Sequence, residues 1–124
     1  MVPASHTSSF PDGTYGGEPA GYIFRFPGKN IYMAGDTGVM ADMEMFPKLF
    51  GYIDLAILPV GSHYTMCARK ASFAAAELLK TKRVVGCHFD TFPPIEINHQ
   101  EAYQLFSEKN IEFSLPKLGE EFEI

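Results

Sequence analysis

Three residues of this 124-residue sequence pair a side chain able to bind metal or move a proton with a telling position. Asp36 closes the apolar run "IYMAG", His88 closes "RVVGC", and His6 lies in the Ser/Thr-rich stretch "ASHTSS". Imidazole nitrogen and carboxylate oxygen together suit zinc, iron or manganese. A cation would also let an ionised Asp36 tolerate a largely buried position. Residues just beyond the strand ends of an α/β sheet gather at one edge, where binding sites are built. Asp36 and His88 are expected to meet there, with His6 available from its loop to complete a facial set. The spacing 6, 36, 88 forms no local motif of the HExxH or paired CxxC kind. A loop-capping Asp36 and a satisfied core His88 therefore stay open at this level. The fourth histidine, His99, opens a polar segment and reads as a solvated surface residue.

The elements that must position these residues follow from periodicity and punctuation. "GYIFRF", "PGKN" and "IYMAG" predict a β-hairpin. "LAILPV" (55–60) and "RVVGCHF" (83–89) are continuous apolar runs typical of buried strands. Between them, Ala68, Ala71, Ala75, Leu78 and Leu79 share a helical face. Thr65 is the expected N-cap of that helix, and Lys80, Lys82 and Arg83 fall near its C-terminal end. Asn98 and Glu101 form a capping pair for a second helix, with Ala102, Leu105 and Phe106 inward. Residues 38–50 are mixed, and Pro47 limits or kinks any helix there. "IEFSLP" and "EEFEI" predict short closing strands, while residues 1–20 read as loop with no core element. The order predicts an α/β fold in a single domain over 1–124, one mixed sheet covered by helices.

Apolar residues make up 46% and charged residues 20%, which places the chain among folded globular domains. Its net charge of −5 gives no electrostatic reason to expect nucleic acid or an anionic membrane as partner. No run approaches the ~20 apolar residues of a bilayer span, and the N-terminus lacks a signal-peptide layout. A cytoplasmic location is the default expectation. Cys67 and Cys87 read as small buried hydrophobes in a reducing compartment, with ligation or redox chemistry at Cys87 as the alternative.

Taken together, "PASHTSS", "DGTYGGEPAGYIF", "IYMAGDTG", "DLAILPVGSHYTM" and "GCHFDTFP" resemble the metal-dependent hydrolases of the metallo-β-lactamase superfamily. Within it, they are most similar to the bacterial and archaeal family related to ascorbate-6-phosphate lactonase. The resemblance runs in order from residue 3 to about residue 93. It implies an αββα sandwich with a two-metal site at the sheet edge, zinc being the first expectation and manganese or iron the alternatives. It matches His6 and His88 to histidine ligands. It matches Asp36 to the acid that bridges both metals and positions the metal-bound water for attack. The loop "GSHYTM" departs from the family's usual "GG-x-F-T-M" style and borders the expected substrate pocket through His63, Tyr64 and Thr65. His63 serves either substrate contact or the loop itself.

The family's HxHxDH motif is not among these residues and is expected upstream of residue 1. The resemblance therefore covers only the C-terminal half of the family's domain: one mixed sheet with helices on one face. The other face, apolar and costly to leave in water at ~25 cal/mol per Å², is expected to pair with a separate N-terminal half, with a second copy in a homodimer, or with the rest of a longer protein of which this chain is a part. The implied function is metal-dependent hydrolysis of a small-molecule lactone or phosphoester. The alternative is a non-catalytic, assembly-forming remnant with an incomplete metal site.

Overall fold

The alternating "AGYIFRF" and the run "KNIYM" form the expected hairpin. Strands β2 (Ala20–Phe26) and β3 (Lys29–Met33) pair antiparallel from Tyr22↔Met33 to Phe26↔Lys29, around a two-residue turn at Pro27-Gly28. The structure, a computed structural model, describes residues 1–121. The apolar runs become β4 (Leu55–Pro59) and β5 (Arg83–Cys87), parallel to β3 and to each other. A short β6 (Glu112–Ser114) continues the parallel part. The closing strand expected over residues 120–124 falls largely outside the described residues.

The N-terminal stretch corrects the sequence reading. Val2–Pro3 is a strand, β1, pairing antiparallel with Ala20 and Gly21 of β2, and Val2 is buried in the core. Among the described residues the result is a six-stranded mixed sheet whose spatial order, β1-β2-β3-β4-β5-β6, equals its chain order.

Alternation along the strands divides the sheet into two unlike faces. Tyr32, Ala56, Leu58 and Val84 point to one side and join a single core with Phe46, Ala71, Ala75, Leu79 and Phe106 from the helices. Tyr32 meets Phe46 edge-on at 5.3 Å. Opposite, Ile31, Leu55 and Val85 form a small separate cluster, with Ile57 packed against it. Along the same face Tyr22, Phe24 and Met33 are 41–46% exposed. Among the described residues helices pack on one face, as expected; on the other Ile31, Leu55 and Val85 are buried, and the exposed apolar surface is the β2–β3 margin of Tyr22, Phe24 and Met33.

Three helices build the covered side. A 3-10 turn (Ala41–Glu44) runs into α1 (Met45–Phe50). Pro47 is the third residue of α1, in the first turn where a missing N–H is tolerated, so it neither breaks nor ends the helix. Helix α2 (Ala68–Phe73) widens into a π-turn over Ala74–Leu78, closed by the Leu79 amide donating to the Ala74 carbonyl at 2.8 Å. Thr65 is not its cap: Cys67 holds that position, without a side-chain hydrogen bond. Helix α3 (His99–Ser107) starts as read, the Asn98 side chain accepting the Glu101 amide at 3.0 Å. Ala102 and Phe106 are buried as expected and Leu105 half-buried. No helix among the described residues is long and apolar enough to cross a membrane.

Candidate functional site

Strands β3 and β5 flank β4 in parallel, so the segments leaving them emerge at the same sheet edge. After β3 the chain turns through Gly35, whose φ of +64° favours glycine, and presents Asp36. After β5 it turns at once through His88, whose φ of +54° is uncommon for a side chain of this kind. These two bends bring Asp36 Oδ2 within 3.7 Å of His88 Nε2.

That separation is too long for a hydrogen bond. Two ligands each ~2.1 Å from a tetrahedral ion lie about 3.4 Å apart, so the spacing fits shared coordination better than direct pairing. His88 Nδ1 is buried without a hydrogen-bond partner among the described residues, a costly arrangement unless another group completes it. The donor types, one carboxylate oxygen and one imidazole nitrogen, fit a divalent ion.

Asp36 departs from expectation in its burial: its side chain is 51% exposed. No counter-ion is needed to make its charge tolerable. It helps line a cavity of about 430 Å³ together with His6, Thr7, Ser8 and Phe10. His6 also lines a second cavity, of about 480 Å³, with Ser5, Thr7, His63 and Tyr64. His6 thus borders both the cavity of Asp36 and that of His63 and Tyr64, and its Nδ1 lies 2.9 Å from the Thr7 carbonyl oxygen. Among the described residues, however, no three His, Cys, Asp or Glu side chains converge closely enough to hold an ion. Asp36 and His88 are brought together; His6 shares a cavity with Asp36 without closing a three-ligand set.

The 61–66 loop is tightly wound. Ser62 and His63 both have positive φ, and the Ser62 and Thr65 amides donate to Met66 and Ser62 carbonyls. This winding exposes His63 and Tyr64, whose rings meet edge-on at 5.1 Å. Thr65 lies behind them with its hydroxyl buried and without a partner among the described residues. It is not among the residues lining the cavity of His63 and Tyr64.

Gly61 sets the height of this edge. A Cβ at Gly61 would lie 2.0 Å from the His88 carbonyl oxygen, so the backbone of the two loops is in direct contact there. Beside it the Val60 amide donates to the Cys87 carbonyl at 3.0 Å. The Cys87 thiol is half-buried, and burial, followed by the nearby Asp36 charge, pushes it up to about 11.

His99 is exposed, as expected, but it also makes a pairing that its sequence context does not signal: its Nε2 is 2.5 Å from Asp90 Oδ2, while Asp90 Oδ1 accepts the Ile97 amide at 2.9 Å. Burial alone would raise the Asp90 carboxyl, but these hydrogen bonds outweigh it and hold the group below its ordinary value. The pair closes the 88–99 loop that begins with His88. The polar residues Asp90 and His99 nine positions apart carried no periodic signal that could have linked them.

Residues 1–89 match the model of the Beta-lactamase superfamily domain, and the chain belongs to that family. It is 44% identical over 123 residues to a UPF0173 metal-dependent hydrolase of Christiangramia forsetii, covering 99% of this chain and 54% of that protein. With a UPF0173 metal-dependent hydrolase of Thermus thermophilus it shares 47% identity over 119 residues, 96% of this chain and 52% of the relative. Its structure is similar to that of Igni18, a metallo hydrolase from Ignicoccus hospitalis, with a TM-score of 0.80 at 36% identity. That match covers 98% of this chain and 52% of Igni18. The chain spans about half the length of the curated relatives it matches.

Proposed function

We propose that this chain supplies one side of the metal centre of a metal-dependent hydrolase, acting on a lactone or phosphoester bond of a small molecule. Asp36 and His88 are ligands, His6 a third, and the remaining donors come from a separate N-terminal half seated on the exposed β2–β3 margin of the helix-free face. The observation that carries this reading is the 3.7 Å approach of Asp36 Oδ2 to His88 Nε2 at the edge where β3 and β5 both end. The matched relatives are about twice as long as this chain, which favours an N-terminal half over a second copy as occupant of that face.

A divalent ion, zinc by its preference for nitrogen and oxygen donors or else manganese or iron, supplies Lewis acidity and an acidified water when bound. Asp36, half exposed at the cavity wall, would help hold the ion and position the water it activates. His63 and Tyr64, on the far side of His6, offer hydrogen-bonding groups to the substrate, and Thr65 supports their loop from behind. The free Cys67 and Cys87 fit a reducing, cytoplasmic setting.

The test combines this chain with the N-terminal half of the Thermus thermophilus relative and measures bound metal by elemental analysis and hydrolysis of lactone and phosphodiester substrates. Metal at or above one ion per complex is expected, with Asp36→Ala and His88→Ala each lowering both metal content and turnover at least tenfold. A wild-type complex without metal overturns the reading. A second reading, a non-catalytic scaffold, is favoured by the absence of a converged three-ligand set among the described residues. It predicts that this chain alone is a monometallic or metal-free homodimer inert towards both substrate types.

A further inference from the structure

Thr37 is wholly buried, although it directly follows the half-exposed Asp36. A valine would fill the same space without carrying a hydroxyl out of water, which is costly unless that hydroxyl is bonded. Its bonds show what the hydroxyl does. Thr37 Oγ1 accepts the Ser5 amide at 2.9 Å and donates to the Gly38 carbonyl at 2.8 Å. One residue on, the Gly38 amide donates to the Ser5 carbonyl at 2.9 Å. Both backbone groups of Ser5 are therefore held by the segment that carries Asp36, and Ser5 precedes His6.

Little else fixes His6 locally. Upstream, the β1 ladder ends at Pro3; downstream, the next backbone tie is the Gly16 amide to the Ser8 carbonyl. Among the described residues, the one hydrogen-bonding contact of the His6 side chain is with the adjacent Thr7 carbonyl.

We propose that Thr37 is a positioning residue: its buried hydroxyl latches Ser5 to the Asp36 loop and so holds the His6 imidazole at the wall of the cavity that Asp36 lines. The latch builds on the reading of His6 as a ligand only in its purpose; its existence is testable without metal.

The primary measurement is amide hydrogen exchange by NMR on the metal-free chain. In Thr37→Val, which keeps the volume and removes the hydroxyl, the Gly38 amide should exchange at least tenfold faster and the His6 ring signals should shift towards those of a free loop. Amides of Tyr32 and Ala56 should be unchanged. Thr37→Ser, which keeps the hydroxyl, should restore wild-type values. Ser5→Pro removes the donated N–H from the exposed side and should reproduce the valine phenotype, deciding the matter alone if the valine variant does not fold. Unchanged Gly38 exchange and His6 signals in either folded variant overturn the latch.

Titration with Zn²⁺ alone adds the link to ligation. Thr37→Val should weaken uptake about tenfold or more, and have no further effect in a His6→Ala background, as coupled residues do. If the wild-type chain takes up no Zn²⁺ while Gly38 exchange responds as expected, the His6 ligand reading fails and the latch stands.

Discussion

Replacing Gly61 by alanine tests whether the loop after β4 sets the position of His88. Gly61 is not needed for its backbone angles; it is needed for space. The added Cβ would meet the His88 carbonyl oxygen at 2.0 Å and Ile95 Cβ at 3.0 Å, and real Cβ contacts do not fall below 3.0 Å. The His88 carbonyl must retreat by about 1 Å, and the neighbour is backbone at the end of a central strand, not a flexible side-chain tip. Overpacking of this kind costs about 1–3 kcal/mol. The Val60 to Cys87 hydrogen bond beside the clash cannot survive such a shift intact, adding roughly 0.5–1.5 kcal/mol. The sum, about 1.5–4.5 kcal/mol, is a large part of the stability of a small domain and lowers Tm by roughly 10 °C. Urea denaturation followed by far-UV circular dichroism measures it. Gly13→Ala is the control, because Gly13 has a φ of +85° but nothing within 4 Å of its Cβ, so only local strain is added. A Gly61→Ala variant within about 0.5 kcal/mol of wild type, or no less stable than Gly13→Ala, would refute the close-approach argument.

Two further outcomes follow from other parts of the fold. Tyr32 is fully buried with a hydroxyl that has no hydrogen-bond partner among the described residues, so Tyr32→Phe should raise stability by about 1 kcal/mol, read as a shift in urea midpoint. Burial pushes the Tyr32 phenol above its ordinary value of 10.0. The unfolded phenol therefore loses its proton first, wild-type stability falls as pH rises above about 10, and the phenylalanine variant lacks that part of the decline. On the exposed β2–β3 margin, Tyr22→Ser with Phe24→Ser should weaken capture of the relative's N-terminal half at least tenfold, read by calorimetry, with little change in the chain's own unfolding midpoint. An unaltered affinity would mean that this face is not the docking surface.

Much of the frame was legible because its signals were local. "GYIFRFPGKNIYMAG" carries alternation, a turn and a second apolar run, and Asn98 with Glu101 marks a helix start by side-chain chemistry alone. The approach of Asp36 to His88 was legible for a topological reason: both follow strands whose parallel neighbours put their exits at one edge. What escaped depended on contacts distant in sequence. Strand β1 is two residues long, and nothing in "MVPASH" reveals that Val2 pairs with Gly21. Thr65 looked like a cap because the positive-φ winding of Ser62 and His63 has no residue-type signature; that winding displaces the helix start to Ala68. The partners of Thr37 and Asp90 lie 32 and nine residues away along the chain, beyond any periodic pattern. His6, read as completing a facial set, shares a cavity with Asp36 but does not converge with it and His88 on one point.

The identity of spatial and chain order in the sheet bears on how the molecule is made. A ribosome delivers β1 first and β6 last, so each emerging strand meets an edge whose partner has already left the exit tunnel. No strand must be inserted between two others, and no early segment waits for a late one to complete its ladder. Such a sheet grows at one margin, a step at a time, at the ~5–20 residues per second of synthesis. The aromatic side of β2 and β3 is then finished while the last helix is still unmade, which gives a covering partner its earliest opportunity during translation.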